Sequence, residues 1–266
     1  MLRACNGNVE LAYDVEGEGP DLLLIAGSAS SRPIWSLSRP QLARSFRTIA
    51  FDNRDSGEST VVDAAYTLRD LAADARAVLD ATGSRRAHVV GHSMGGAIAQ
   101  ELALSYPDRV ATLTLVSTWA RGNAYSRNLI ELMSDLTASG CDDRTLLEAI
   151  LFAGAGATAL SETSLRDKTD AAMALGPLAP RPALSRQWQL DLGVDTLDRL
   201  REISTPAHVI WGDEDRMVPP SLSVQLLGAI AGASQTRIER CGHLPMVDAP
   251  EAFAEAVAAF LATMRV

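Results

Sequence analysis

Cysteine is scarce in this chain: Cys5, Cys141 and Cys241 are the only three in 266 residues. An odd and widely spaced set forms neither a paired disulfide framework nor two metal-binding pairs, so a reducing, cytoplasmic setting is expected. Long apolar runs are missing as well. The first apolar stretch, Leu22 to Ala26, follows the acidic Glu10, Asp14, Glu16 and Glu18 and is too short for a signal-peptide core or a membrane span. Neither export nor a membrane anchor is expected. Positive charge is in deficit, with 33 acidic residues against 24 basic ones and a formal net charge of −9, both signs being scattered. That leaves no basic stripe for phosphates and excludes nucleic acid as a partner. What the chain does have is apolar content, 47% of its residues, enough at this length to fill a sizeable core.

Short apolar runs alternate with longer helical patterns, the mark of crossover units building a mostly parallel sheet in an α/β fold. Leu22 to Ala26, Arg47 to Phe51, Ala87 to Val90, Thr112 to Val116 and Ala207 to Trp211 read as buried strands. Val9 to Val15 and Ser234 to Glu239, interrupted by charge, read as outer strands. A helix carries Leu68, Leu71, Ala75, Val78 and Leu79 on one face, with Thr67 as N-cap and Gly83 just past its end. A last helix is expected to start at Asp248 as cap, with Glu251 three residues on and a stripe of Phe253, Val257, Phe260, Leu261 and Met264. Between about Arg121 and Asp195 the strand patterns vanish and helical segments such as Leu146 to Phe152 take over. The expected organisation is therefore a core of residues 1–120 and 196–266 with a helical cap, residues 121–195, inserted in it.

Gly91-His92-Ser93-Met94-Gly95 matches G-x-S-x-G, a sharp strand-to-helix turn that holds a serine in a strained, exposed position. A strand pattern runs directly into it and a helix pattern, Gly96 to Leu104, directly follows, which is the context the motif requires. The same turn puts the Met94 N–H at a helix N-terminus, where it can donate to a developing oxyanion. A serine hydroxyl needs a base, and the chain has four histidines. His88 and His208 lie within strand patterns, and His92 adjoins the serine on a turn expected to direct neighbouring side chains apart. His243 remains, in the loop Cys241-Gly242-His243-Leu244-Pro245. The orienting carboxylate is expected after another strand, where Asp213, Glu214 and Asp215 all qualify by chemistry.

With these motifs in order, the chain resembles the α/β-hydrolase superfamily from Leu11 to the last helix. The matching segments are Leu22 to Ser28, Phe51-Asp52-Asn53-Arg54-Asp55-Ser56-Gly57-Glu58-Ser59, Gly91 to Gly96, and the acid and histidine loops. The resemblance implies an α/β-hydrolase fold and a Ser93–Asp215–His243 triad. Asp215 is selected because the family's acid sits in a G-x-x-D-x-x-x-P stretch, here Gly212 to Pro219. It also implies a second oxyanion donor, the Ser28 N–H. Two departures stand out: Ala26 where the family usually has a loop-bracing histidine, and Asp55 where R-G-x-G has glycine. The second variant looks like a subset that includes methylesterases acting on aromatic polyketides.

Other signals fail their context. Gly154-Ala155-Gly156-Ala157-Thr158-Ala159 fits a dinucleotide fingerprint but follows a helical pattern, and Cys241 with His243 lacks further metal ligands. No cofactor and no metal are expected. Trp119, Tyr125, Phe152, Met173, Trp188 and Leu244 are candidates for an acyl pocket. The expected function is cleavage of a small or medium-sized, mainly apolar ester or lactone by a monomer or homodimer. The alternatives are hydrolysis of a carbon–carbon bond in a diketone-like substrate, or a lyase, cyclase or ligand receptor on the same scaffold.

Overall fold

The computed structural model describes residues 2–264. Eight strands form one sheet in the order β1-β2-β4-β3-β5-β6-β7-β8. They are Leu2–Asn6, Val9–Glu16, Asp21–Ile25, Arg47–Phe51, Ala87–His92, Val110–Val116, Ala207–Gly212 and Ser234–Ile238 in chain order. β1 and β2 pair antiparallel with each other, and β2 runs antiparallel to β4; β3 to β8 are all parallel. β1 has no counterpart in the sequence reading, because only Ala4 of its five side chains is buried and no alternation shows.

Eleven α-helices accompany the sheet. Two short ones, α1 (Arg39–Leu42) and α10 (Pro245–Asp248), and three longer ones, α2 (Leu68–Ala81), α3 (Met94–Ser105) and α9 (Pro220–Ala229), lie within the strand–helix alternation. α4 (Ala124–Ala138), α5 (Asp143–Gly154), α6 (Ala157–Glu162), α7 (Leu165–Ala174) and α8 (Arg181–Leu192) fill the interval between β6 and β7. α11 (Pro250–Ala262) ends the domain. The inner strands β3 to β7 are buried on both faces, and period-two alternation divides their side chains between two cores. Leu23, Ile25 and Val89 pack against Leu71, Val78, Ile98 and Leu102 of α2 and α3. Leu22, Leu24, Val90 and Ile210 pack against Phe253, Val257, Phe260 and Leu261 of α11.

Thr67 caps α2 in a reciprocal capping box with Asp70, and Gly83 follows the helix with φ +71°. The last helix starts differently from its sequence reading. Asp248 ends α10, and Pro250, with no N–H to satisfy, occupies the first turn of α11. The Asp248 carboxylate is engaged elsewhere, by Lys168 of α7 at 3.0 Å. Arg121 and Asp195 meet in an isolated antiparallel bridge and an ion pair of 2.9 Å, so the chain leaves and rejoins the strand region at one point.

Candidate active site

Ser93 stands at the end of β5 with φ +55° and ψ −123°, a conformation costly for a residue with a Cβ. The turn is possible because its neighbours have no side chains. A Cβ on Gly91 would run into the Gly95 carbonyl, one on Gly95 into the Ile25 carbonyl, and one on Gly96 into Thr118. Ser93 N–H donates to the Val116 carbonyl at 2.9 Å, and Thr118 Oγ1 donates to the Ser93 carbonyl at 2.6 Å, so the end of β6 and the residues after it hold the turn. The Ser93 hydroxyl has no hydrogen-bond partner among the described residues.

β7 and β8 deliver the other two groups at the same rim of the sheet. His243 Nδ1 lies 2.9 Å from Asp215 Oδ2, and both side chains are almost wholly buried. The Asp215 carboxylate also accepts from Met217 N–H at 2.9 Å and Val218 N–H at 2.8 Å through Oδ1. The backbone thereby fixes one oxygen and leaves the other to the imidazole. Its neighbours in the acidic run do different work. Asp213 is exposed, and Glu214 accepts from Thr158 N–H and Oγ1, both at 2.7 Å, bonds that hold its carboxyl below the usual range. Burial pushes the neighbouring Cys241 thiol up to about 12, which leaves it protonated.

The Gly154-Ala155-Gly156 stretch buttresses this loop. His243 N–H donates to the Gly154 carbonyl at 2.7 Å, and Gly156 packs so closely that a Cβ there would lie 2.9 Å from Gly242 N. His92, set aside as a base in the sequence reading, packs against His243. The two rings lie 4.8 Å apart, and His92 Nε2 is 2.9 Å from the His243 carbonyl, which makes Nε2 the donor. Burial, and then the neighbouring His243, lower its pKa well below the ordinary histidine value, so it braces the loop as a neutral ring. His88 bonds Thr112, and His208 bonds Ser234 and Thr236, within the sheet.

Above this rim lies a cavity of about 490 Å³, lined by Ser28, Ser93 and His243 below and by residues of α4, α5, α7 and α8 above. Trp119, Trp188 and Leu244 line it, whereas Tyr125, Phe152 and Met173 do not. Those three are 52%, 54% and 42% exposed on outward faces of α4, α5 and α7. Phe152 instead stacks under the Arg216 guanidinium at 5.1 Å. Composition could not tell which face of each helix turns inward. Leu129, Ile130, Met133, Leu147 and Leu151 supply apolar wall.

Asp55 also proves to face away from the cavity. It adopts φ +64°, a region aspartate tolerates better than most residues, and Arg186 of α8 grips its buried carboxylate with contacts of 2.7 and 2.9 Å. Its replacement of glycine is thus explained by a tie to α8. Asp191, on the same helix, is almost fully buried at the cavity wall and accepts from Ser28 Oγ at 2.6 Å. Burial raises it to about 7. Sequence reasoning passed over Asp191 and Gln187. No local signal marks them, since two polar residues four apart in a helical segment are ordinary and their partners lie far away along the chain.

Among the described residues no helix is long and apolar enough to cross a membrane, and no group of three or more His, Cys, Asp or Glu is placed to hold a metal. A family model described as the alpha/beta hydrolase family matches residues 22–256. The putative carbamate hydrolase RutD of Variovorax paradoxus is 32% identical over 265 residues, which cover 95% of this chain and 96% of that one. The crystal structure of a hydrolase from Pseudomonas aeruginosa PA01 matches with a TM-score of 0.86 at 30% identity, covering 97% of this chain and 96% of that one. A thermophilic esterase from Thermogutta terrifontis shares the fold over 100% of both chains, with a TM-score of 0.88 at 24% identity. The match spans nearly every element that builds the rim, and the chain belongs to the alpha/beta hydrolase family.

Proposed function

We propose that this hydrolase cleaves a small or medium-sized, mainly apolar carboxylic ester or lactone through Ser93, His243 and Asp215. The observation that carries the reading is the buried His243–Asp215 pair, 2.9 Å apart, opening on the same cavity as the unpartnered hydroxyl of the strained Ser93. His243 takes the Ser93 proton as Oγ attacks the carbonyl carbon, and Asp215 holds the imidazole in the required tautomer. The Met94 and Ser28 N–H groups, neither of which has an acceptor among the described residues, stabilise the tetrahedral oxyanion. His243 then protonates the departing alkoxide, and water cleaves the acyl-enzyme by the same steps. Residues 121–195 serve as the cap that roofs the site.

The size of the cavity bears on the substrate. At about 490 Å³ with mostly aliphatic walls, it falls in the range for ligands of a dozen or more heavy atoms. The Variovorax protein is named a putative carbamate hydrolase; a carbamate without a sizeable apolar group would leave most of this volume and its apolar surface unused.

Initial rates over a series of aryl esters with two- to twelve-carbon acyl chains test the proposal. Each buried methylene is worth about 0.8 kcal/mol, so kcat/KM should climb about threefold or more per carbon and then fall once the cavity is full. Trp188→Ala and Leu147→Ala should shift the optimum to longer chains, and Phe152→Ala should not. Ser93→Ala should abolish turnover. Undiminished turnover by Ser93→Ala would remove the triad assignment, and a flat series would remove the pocket assignment.

A further inference from the structure

The loop after β3, residues 26–31, carries the Ser28 N–H, and it has few bonds of its own. Within the loop, Ser30 Oγ donates to the Gly27 carbonyl at 2.8 Å, and Ala29 sits at φ +54°, a left-handed conformation that a short flexible segment does not hold unaided. Ala26 offers no polar side chain to brace it. Asn53 Nδ2 holds the start of the loop by donating to the Ala26 carbonyl at 2.9 Å, whereas the contacts at Ser28 and Ala29 come from far along the chain. Gln187 Oε1 accepts from Ala29 N–H at 2.8 Å, and Asp191 Oδ2 accepts from Ser28 Oγ at 2.6 Å, both across more than 150 residues of sequence.

α8 is in turn fixed to the other side of the rim. Gln187 Nε2 donates to the Asp55 carbonyl and to Ser56 Oγ, each at 3.0 Å, beside the paired contacts of Arg186 with the Asp55 carboxylate. Trp188 Nε1 donates to Thr137 Oγ1 of α4 at 2.9 Å, which sets the rotation of the helix. Every polar residue from 186 to 188 is therefore committed. A buried amide with all these bonds, and a buried carboxyl bonded to the loop residue, form an arrangement costly to build without a positional requirement.

We propose that Gln187 and Asp191 of α8 are positioning residues that hold the Ser28 N–H in line with the developing oxyanion. The inference rests on the serine-hydrolase reading above. It makes α8 the outer half of the oxyanion site: the nucleophile turn supplies the Met94 N–H, and the roof helix fixes the Ser28 N–H. The raised Asp191 carboxyl fits this place, because burial disfavours its charged form and so lessens the negative charge near an oxyanion. Asp191 touches neither the substrate carbonyl nor the proton in flight; it acts through Ser28.

The test separates orientation from general structure. Wild type, Asp191→Ala, Asp191→Asn, Gln187→Ala, Ser28→Ala and the Ser28→Ala/Asp191→Ala double variant are assayed on 4-nitrophenyl butyrate, and their affinity for an alkyl boronic acid, which forms a tetrahedral adduct, is measured. Asp191→Ala, Gln187→Ala and Ser28→Ala should each lower kcat about ten- to a hundredfold with KM within about threefold, and weaken the boronate by a matching factor. Asp191→Asn, which keeps an acceptor for Ser28 Oγ, should recover most of the rate. The double variant should be no slower than either single one, because both remove one bond. Ser28→Ala keeps its backbone N–H and leaves α8 untouched, so it reports even if Asp191→Ala unfolds. Unchanged kcat, multiplied losses in the double variant, or equal weakening of butyrate and boronate would overturn the inference. Ser93→Ala run alongside distinguishes the two ideas: if it is inactive while Ser28→Ala and Asp191→Ala match wild type, the hydrolase reading stands and the α8 inference falls.

Discussion

Replacing Ser93 by glycine should stabilise the protein while ending its activity. At φ +55° and ψ −123° the serine occupies a region that is essentially reserved for glycine, at a cost of about 1–3 kcal/mol. Its hydroxyl makes no hydrogen bond to the described residues, and the residue borders the cavity. Removing the side chain therefore forfeits little packing. Against the relief stands the greater freedom of glycine in the unfolded chain, worth about 0.4–1 kcal/mol. The balance is a net gain of about 1 kcal/mol, or a Tm higher by about 2–4 °C in a domain of this size. Ser93→Ala keeps the Cβ and with it the strain, so it should unfold within about 0.5 kcal/mol of wild type. Calorimetry and urea titration on the three proteins read the differences, and 4-nitrophenyl butyrate hydrolysis should vanish in both variants. A glycine variant no more stable than the alanine variant would show that the turn stores no strain.

Three further outcomes follow from other parts of the rim. Asp215→Asn should lower kcat by about 10⁴ through loss of the correct imidazole tautomer, while Asp213→Asn, on an exposed side chain, should change it less than threefold; rate measurements on the two purified variants decide. Arg186→Leu leaves the buried Asp55 carboxylate without its partner and should cost about 3–5 kcal/mol in urea unfolding, a loss that Asp55→Gly in the same chain should largely reverse. Asp191 lies near 7 in the folded chain against 3.8 unfolded, so the native state binds its proton more tightly. This contribution is present in full below pH 4 and declines as pH rises to 7, by about 4 kcal/mol in all; the stability of wild type relative to Asp191→Asn should fall by that amount over the window and stay level above it.

How far the sequence could be read depends on what each residue answers to. The parallel strands were legible because burial on both faces leaves nearly continuous apolar runs, as in Leu22 to Ala26. β1 was not, since it lies at the sheet edge with one buried side chain. The Ser93 turn was legible because close backbone approach admits only glycine at 91, 95 and 96, and that demand leaves a local motif. Asp215 and Asp213 could not be separated by local chemistry, since what distinguishes them is two backbone N–H bonds and burial. Gln187 and Asp191 have partners more than 150 residues away, so no window along the chain contains the reason for them. Tyr125, Phe152 and Met173 show the reverse error, in which large apolar side chains in the right segment were placed in the pocket although their helix faces turn outward.

The distribution of strained backbone ties these points together. Among the described residues five non-glycine residues have positive φ: Ala29, Asp55, Ser93, Ser117 and Arg240. Each lies one to four residues beyond the C-terminal end of a parallel strand, after β3, β4, β5, β6 and β8 respectively. At the opposite rim, where chains enter the strands, comparable turns use Gly83 and Gly232, and the same backbone angles cost little. Glycine would relax the C-terminal rim too, but two of its five positions need a side chain. Ser93 presents a hydroxyl, and Asp55 binds Arg186. Strain of about 1–3 kcal/mol at each such position is large against a domain stability of about 5–15 kcal/mol, so it persists only where other contacts over-determine it. Those contacts are the ones found: the Val116 carbonyl and Thr118 hydroxyl on Ser93, the Arg186 pair on Asp55, and the Gln187 bond to Ala29. The rim is held by α8 as well as by the sheet, so substitution of Gln187, which does not line the cavity, should reach the chemistry through the Ser28 loop.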